Sequence, residues 1–237
     1  GPLPKHDSEE SRLLDFCNLL RRVDAAGVIL LNRVSEEGLN QIRVIAPLVQ
    51  CCEYNEHADY PYVSIDDSRA AELATEYLLS NGGSKIALIN GPGNFKYARK
   101  RQEGFMNALR KAEVMIPKQW IVQLPEVSYE MAYAAVCRLL NSDSRPNAFF
   151  TISDVFAAAV IRAAKRFHLH VPRDILVVGF DNIELSSMTS PSITTVNQPK
   201  FQMGYTACEM LLELIEDPQE EMKSLLLDTE LVIREST

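Results

Sequence analysis

The sequence predicts an α/β fold built on parallel sheets, and two observations support this. Short apolar runs alternate with longer amphipathic stretches along the chain. The apolar runs are continuous, as in residues 85–91 (KIALING) and 175–182 (ILVVGFDN). Continuous apolar strands separated by helices are typical of parallel sheets covered on both faces. The length of 237 residues allows one large domain or two lobes of roughly 100–150 residues each.

The individual elements follow from local patterns. Apolar residues at helical spacing, often with a glycine or proline at the end, predict helices over residues 8–22, 68–80, 100–113, 128–141, 155–167 and 201–215. The apolar and β-branched runs predict strands over residues 23–31, 46–54, 62–66, 85–91, 120–124, 147–153, 175–182 and 192–199. Residues 225–236 are predicted to form a closing strand or a hairpin.

Composition and charge exclude several classes of protein. The 24 Lys and Arg against 32 Asp and Glu give a net charge of −8. This charge argues against a chain that binds a polyanion over a broad surface. No stretch approaches the ~20 apolar residues that span a bilayer, and the polar start has no secretory core. We therefore expect no membrane partner and a cytoplasmic location. An odd number of cysteines without a C-x-x-C pair predicts buried free thiols in a reducing compartment: Cys17, Cys51, Cys52, Cys137 and Cys208.

No motif indicates an enzyme, a metal site or a cofactor. The chain has no G-x-S-x-G, no H-E-x-x-H and no phosphate-binding loop. His168 and His170 alternate on a loop, but no third metal ligand is placed with them. Residues 90–94 (NGPGN) form a tight turn and not the G-x-G-x-x-G of a dinucleotide site. Polar residues directly after strands remain the candidates for ligand contacts, because ligands of such folds bind at the carboxyl ends of strands.

Four segments in order carry a resemblance to a known family. They are residues 63–92 (VSIDDSRAAELATEYLLSNGGSKIALINGP), 98–109 (ARKRQEGFMNAL), 149–199 (FFTISDVF to SPSITTVNQP) and 230–237 (ELVIREST). Together they resemble the effector-binding core of the LacI/GalR (lactose/galactose repressor) family of bacterial transcription regulators. The resemblance implies two Rossmann-like lobes joined by three crossovers, as in type I periplasmic binding proteins. The lobes would be residues 1–66 with 199–224, and residues 67–198 with 225–237.

The same resemblance implies a function and a set of partners. Members of the family are homodimers in which a small effector between the lobes shifts the affinity for operator DNA. Residues 52–55 (CEYN), the GFDNIEL turn and the LLLDTELVIREST ending resemble the branch that responds to nucleosides such as cytidine. That branch implies a cyclic-AMP-responsive activator protein bound alongside on DNA. A sugar is the next effector expected, because Val127 stands where many members place an aromatic residue that stacks on the ligand.

Two departures and one alternative accompany this resemblance. The DNA-binding helix-turn-helix and the opening strand and helix of the first lobe do not occur in the sequence, so we expect them to precede it in the intact protein. The alternative is a periplasmic sugar- or nucleoside-binding protein of a transporter, which shares the fold. The five thiols and the repressor-like ITTVNQP and ELVIREST segments count against that alternative.

The resemblance also implies ligand-binding residues in the second lobe, each with a structural alternative. Asp181 would accept hydrogen bonds from two hydroxyls of the ligand, or it caps the following helix. Arg101 would clamp the ligand with its planar fork, or it is solvated on a helix face. Phe95 and Tyr97 lie in the loop that varies between members and either line the pocket or pack within the lobe.

The remaining candidates carry less specific signals. Either Tyr129 or Phe95 takes over the aromatic role that Val127 lacks, or stacking on the base is weaker. Ser153 and Asp154 follow a strand and either contact the ligand or, as their place before a helix favours, cap that helix. Three further residues at strand or helix ends are expected near the ligand: Gln198, Phe201 and Tyr54.

Overall fold

A computed structural model describes residues 9–218 and 223–237 of the chain. The chain divides into two compact units. Unit 1 combines Gly1–Ser64 with Lys200–Leu227, and unit 2 combines Ile65–Pro199 with Asp228–Thr237. The chain therefore passes from one unit to the other three times. Each unit is built around its own sheet with helices between the strands, which confirms the predicted two-lobed α/β class.

The helices and strands have the following bounds in chain order: α1 Glu9–Arg22, β1 Val28–Leu30, α2 Glu36–Arg43, β2 Leu48–Cys51, β3 Tyr62–Ile65, α3 Asp67–Ser80, β4 Ile86–Asn90, α4 Lys96–Lys111, β5 Ile121–Gln123, α5 Tyr129–Leu140, β6 Ala148–Thr151, α6 Asp154–Arg166, β7 Leu176–Asp181, α7 Leu185–Met188, β8 Thr194–Asn197, α8 Lys200–Glu216, β9 Leu225–Leu227 and β10 Glu230–Val232. A short 3-10 helix, Lys118–Trp120, precedes β5.

Unit 1 has a four-stranded sheet in the order β1-β2-β3-β9. The pairs β1–β2 and β2–β3 are parallel. Every residue of β2 is buried, as expected for an inner strand with both faces covered. Leu39 and Ile42 of α2 are fully buried in one hydrophobic cluster with residues of β1 and β2, and α8 also packs on β2.

Unit 2 has a six-stranded sheet in the order β10-β8-β7-β6-β4-β5. All pairs are parallel except β10–β8, where the edge strand is antiparallel. Its inner strands bury Phe149, Phe150 and Phe180 completely. Helices α3 and α4 approach each other closely at Gly104, because a Cβ built there would lie 1.9 Å from the carbonyl oxygen of Ser68. Only glycine allows this approach.

The structure corrects several sequence expectations. Helix α2 was not predicted, although Ser35 caps it by accepting a hydrogen bond from the N–H of Gly38 at 3.2 Å. Helix α4 begins at Lys96, four residues before the predicted start at 100. Residues 225–236 form neither one strand nor a hairpin, because β9 pairs in the sheet of unit 1 and β10 in that of unit 2. Tertiary pairing overrides the local pattern in this segment.

The expectation for the cysteines holds for only part of the set. All five are reduced, and Cys17 and Cys51 are buried, whereas Cys52 and Cys208 are exposed. Cys52 lies just beyond the end of β2, where the strand leaves the core. Within residues 9–218 and 223–237, no helix is both long and apolar enough to cross a membrane.

Candidate functional site

Three of the predicted residues meet at the carboxyl ends of the unit 2 strands. Asp181 ends β7, and Gln198 follows β8, the neighbouring strand. The side-chain amide of Gln198 donates a hydrogen bond to Oδ1 of Asp181. The guanidinium of Arg101, on α4, places Nη1 at 3.7 Å from the same oxygen. The parallel sheet thus brings together residues that are almost a hundred positions apart in sequence.

Arg101 is fixed from several sides and is only 5% exposed, so its alternative role as a solvated helix residue is wrong. Its Nε donates to Oδ1 of Asp67 at 2.8 Å, and its Nη1 donates to the carbonyl of Ile152 at 2.7 Å. The guanidinium carbon lies 3.5 Å from the centroid of the Phe180 ring and 5.1 Å from that of Tyr97. Stacking on aromatic faces and a bidentate fork are the contacts for which arginine is suited.

Asp67, the first residue of α3, holds two cations at once. Its Oδ2 accepts from Nζ of Lys96 at 2.7 Å, while its Oδ1 accepts from Arg101. Lys96 is 2% exposed, so this is a fully buried ion triad. Burial by itself raises the pKa of the Asp67 carboxyl, but the charges and hydrogen bonds of Arg101 and Lys96 outweigh it and hold the pKa below its ordinary value of 3.8. Asp67 therefore stays ionised and keeps the guanidinium in place.

The turn after β7 is held in an uncommon backbone conformation. Asp181 has φ 100° and Asn182 has φ 48°, in the region that L-residues with side chains seldom adopt. Arg234 donates to Oδ1 of Asn182 at 2.7 Å, and the Asn182 amide donates to Asn197 at 3.0 Å. Such conformations persist only where the surroundings fix them, and they cluster at ligand sites. Asp181 itself does not cap the next helix, because Glu184 occupies that position.

Asp154 also holds the turn after β7, and its side chain is completely buried. Its Oδ2 accepts from the N–H of Ile183 at 2.8 Å, and its Oδ1 accepts from the hydroxyl of Thr195 at 2.5 Å. The expectation that Asp154 caps α6 is wrong, because Ser153 is the cap and accepts from the N–H of Phe156 at 3.3 Å. A ligand contact of Ser153 or Asp154 stays a prediction, but the contacts of both are those of residues that shape the site.

The predicted aromatic residues of unit 2 lie at two places. Phe95 and Tyr97 are half-buried, and their rings stack with centroids 5.4 Å apart at the start of α4. Tyr97 also contacts the Arg101 cluster, because its ring centroid lies 5.1 Å from the guanidinium carbon of Arg101. Tyr129 begins α5, where its ring lies 6.0 Å from the guanidinium carbon of Arg162. A packing role within unit 2 is thus observed for all three, and ligand contact stays a prediction.

Two predicted residues belong to unit 1. Tyr54 follows β2, and its ring stacks flat on Tyr62 with centroids 3.7 Å apart. Phe201, at the start of α8, is 84% exposed and packs loosely against Tyr205, with centroids 6.3 Å apart. An aromatic ring so exposed is available for contact with a ligand or another chain.

Sequence reasoning missed Asp67, Lys96 and Arg234. Asp67 directly follows a predicted strand, but its neighbour Asp66 has the same signal and proves to be the exposed cap of α3. Lys96 and Arg234 have no local signal at all, because only the fold places them next to Asp67 and Asn182. In the part of the chain that the structure describes, no group of three or more His, Cys, Asp or Glu side chains is arranged to hold a metal ion.

Comparisons with known proteins agree on one family. A family model described as a periplasmic binding protein-like domain matches residues 75–237. The HTH-type transcriptional repressor CytR of Escherichia coli (strain K12) is 32% identical over the whole chain, which covers 69% of that protein.

Two solved structures are similar in fold. A regulatory protein of the LacI family from Chloroflexus aggregans has a TM-score of 0.87 at 27% identity, covering 97% of this chain and 83% of that one. A LacI family transcriptional regulator from Enterococcus faecium, with bound ribose, has a TM-score of 0.82 at 28% identity, covering 94% and 83%. These relatives are transcriptional regulators and not enzymes, and the transporter-protein alternative is not favoured. The chain belongs to the LacI/GalR family of bacterial transcription regulators and is an effector-binding domain of a repressor of that family.

Proposed function

We propose that this domain senses a nucleoside, with cytidine favoured, and that Asp181 and Arg101 bind it at the carboxyl ends of the unit 2 strands. The ribose of a nucleoside carries a vicinal diol. A carboxylate has two oxygens that accept hydrogen bonds from two adjacent hydroxyls, and an arginine fork donates to the oxygens of the same ligand.

The observation that carries the proposal is a donor and an acceptor that stay open in an otherwise saturated cluster. Oδ1 of Asp181 is engaged by Gln198, but among the described residues no hydrogen bond reaches Oδ2. Nε and Nη1 of Arg101 are engaged, but Nη2 donates to no described residue. Neither atom is among the buried side-chain atoms that lack a partner, so Oδ2 and Nη2 reach solvent and are available to a polar ligand.

A free sugar is the second candidate. The Enterococcus faecium regulator binds ribose, and the ribose diol is the part that a nucleoside shares with the sugar. The nucleoside is favoured by the resemblance of the CEYN, GFDNIEL and LLLDTELVIREST segments to the cytidine-responsive branch.

The proposal extends to the whole regulator. The two units are its two lobes, it forms a homodimer in the cytoplasm, and a separate N-terminal head binds operator DNA. The net charge of −8 fits this division, because the basic DNA contacts then belong to the head. The effector shifts DNA affinity only by its different affinity for the two arrangements of the regulator. A cyclic-AMP-responsive activator is the proposed partner on DNA.

Calorimetric titration with cytidine, adenosine, ribose and a set of hexoses tests the effector. Asp181→Gly is the informative variant, because glycine accepts the positive φ of this position without strain and removes the whole carboxylate. We expect cytidine to bind the unaltered protein and to bind Asp181→Gly roughly 10- to 100-fold more weakly, as for a lost charged hydrogen bond.

Asp143→Gly is the matched control, since Asp143 lies exposed in the turn after α5. It should bind cytidine like the unaltered protein. If a sugar binds and no nucleoside does, the effector is a free sugar and not cytidine. Equal cytidine affinity in Asp181→Gly and the unaltered protein would remove Asp181 from the site.

A further inference from the structure

Two adjacent thiols lie side by side at the carboxyl end of β2 in unit 1. The sulfur atoms of Cys51 and Cys52 are 3.8 Å apart. In a regular strand, successive side chains point to opposite faces of the sheet, so neighbouring cysteines point away from each other. Cys52 instead has φ 71°, which ends the strand and turns its side chain towards that of Cys51.

The backbone around Cys52 is fixed in this conformation. Its N–H donates to the carbonyl of Val63 at 2.9 Å, and its carbonyl accepts from the hydroxyl of Ser64 at 2.7 Å. A residue with a side chain keeps a positive φ only where its surroundings determine it. The two sulfur atoms are therefore held close to each other without any rearrangement of the chain.

The two thiols differ in exposure. Cys52 is exposed, whereas Cys51 is 3% exposed. The hydrogen bond with Cys52, then burial, and then the nearby Cys52 and Cys208 sulfurs raise the pKa of the Cys51 thiol. Cys52 is therefore the sulfur that a reagent in solution meets first.

We propose that Cys51 and Cys52 form a modification site for hydroperoxides that closes to a disulfide between the two residues. The Cys52 thiol gives up its proton and its sulfur attacks one peroxide oxygen. The O–O bond breaks, Cys52 becomes a sulfenic acid, and the other oxygen leaves as hydroxide, which takes up the released proton to form water. The Cys51 sulfur then attacks the Cys52 sulfur. The S–S bond forms, the S–O bond breaks, and the hydroxyl leaves as water with the Cys51 proton. Two thiols lose two electrons in total, and hydrogen peroxide is reduced to two water molecules.

Geometry also makes this disulfide easy to reverse. Consecutive Cα atoms are about 3.8 Å apart, less than the roughly 4.4–6.8 Å of ordinary disulfides. Strained disulfides are the more oxidising and labile kind, so cellular dithiols and glutathione restore both thiols by exchange. The site lies at the same carboxyl edge as Tyr54, two residues further along the chain. Oxidation of the two thiols does not depend on the identity of the effector.

Peptide mapping by mass spectrometry after treatment of the full chain with hydrogen peroxide tests the proposal. Cleavage after Arg43 and Arg69 releases residues 44–69, a peptide whose only cysteines are Cys51 and Cys52. We expect this peptide to lose two hydrogen atoms and both alkylatable thiols, and to regain them with dithiothreitol. The peptide with Cys208 and that with Cys137 should keep their thiols.

Single substitutions identify the two cysteines that form the disulfide. Cys52→Ser should abolish the change, and Cys51→Ser should leave a Cys52 sulfenic acid that a 1,3-diketone traps. Cys208→Ser and Cys137→Ser are the controls and should form the disulfide like the unaltered protein. A disulfide between Cys52 and Cys208, oxygen added to Cys52 with no disulfide, or five unchanged thiols would each overturn the proposal.

Discussion

The carboxyl edges of the two sheets differ in chemistry. In unit 2 the edge is charged, and Asp67, Lys96, Arg101 and Asp181 form one connected cluster. In unit 1 the corresponding edge of β2 carries thiols, amides and stacked tyrosines. There the fully buried Gln50 accepts from the N–H of Asn55 at 2.9 Å, and Tyr54 stacks on Tyr62.

The two edges are therefore held together by different interactions. The unit 2 edge is rigid because each buried charge is paired, and a half-satisfied network of charges would destabilise the fold. Its open donor and acceptor therefore have fixed directions, which favours specificity. The unit 1 edge is instead held by ring stacking and by an amide hydrogen bond. We therefore expect substitutions in the charged cluster of unit 2 to cost more stability than substitutions in unit 1.

The largest expected effect comes from Asp67→Asn in unit 2. The asparagine amide would face one of the two buried cations, Lys96 or Arg101, with a donor group. Breaking a buried ion pair on one side costs about 3–5 kcal/mol, so we expect the free energy of unfolding, measured with urea, to fall by that amount.

Asp66→Asn is its matched control one residue away. Asp66 is exposed and caps α3 by accepting from the N–H of Arg69 at 2.9 Å. Asparagine caps helices as well as aspartate does, so the stability should change little. Equal losses in the two variants would mean that the buried triad does not stabilise unit 2.

Gly104→Ala should give the next largest effect. The added Cβ would lie 1.9 Å from the carbonyl oxygen of Ser68 and 2.9 Å from the backbone nitrogen of Glu72, so α3 and α4 would have to separate. Backbone cannot yield as a side chain can, and overpacking of this kind costs about 1–3 kcal/mol or more. Thermal denaturation followed by circular dichroism should show a clearly lower melting temperature. An unchanged melting temperature would contradict the close helix contact.

At acid pH, the difference in the free energy of unfolding between Asp67→Asn and the unaltered protein should become smaller. The folded pKa of Asp67 is below the ordinary value of 3.8, so in that range the unfolded chain binds the proton more readily. The stabilisation by Asp67 is complete above pH 3.8 and is lost as the pH falls through the lower folded pKa. The free energies of unfolding of the two proteins, measured with urea over a pH series, should therefore converge below pH 3.8. A difference in the free energy of unfolding that stays constant down to the lowest pH would mean that the Asp67 pKa is not lowered.

The smallest effect, and of opposite sign, is expected for Gly204→Ala in unit 1. Gly204 lies within α8, and nothing lies within 4 Å of a Cβ built there. Replacing a helical glycine by alanine without a clash stabilises by roughly 0.5–1 kcal/mol. The same substitution should thus destabilise unit 2 at Gly104 and stabilise unit 1 at Gly204, measured by the same thermal denaturation. A loss of stability in Gly204→Ala would show that α8 is more tightly covered than the structure indicates.

The fold class and most helices and strands could be predicted from the sequence because they depend on local patterns. Continuous apolar runs predicted the inner strands β4 and β7 within one or two residues at each end. Helix α2 was missed, although Ser35, Glu36 and the Leu39–Ile42 spacing are signals for it, because it is only eight residues long. The start of α4 was placed too late because Phe95 and Tyr97 were assigned to a loop.

The candidate site could be predicted only in part. Asp181 and Gln198 end neighbouring strands, and Arg101 follows from the family resemblance, so the sequence could point to all three. It could not show that Arg101 is buried, or that Asp154 supports the turn after β7 by accepting from Ile183 and Thr195. These contacts join residues about 30 or 40 positions apart, and no periodicity within one element encodes them.

By itself, the sequence determined the alternation of strands and helices, the acidic charge, the family and the chemical type of the groups that follow the strands. Each of these depends on residues that are close together in the chain or on the composition. The tertiary structure alone decided that Asp67 pairs with both Lys96 and Arg101, that β9 and β10 join different sheets, and that Cys52 turns towards Cys51. Those outcomes depend on which elements are neighbours in space, and burial then fixes the partners because an unpaired charge or backbone group in the interior costs too much free energy to persist.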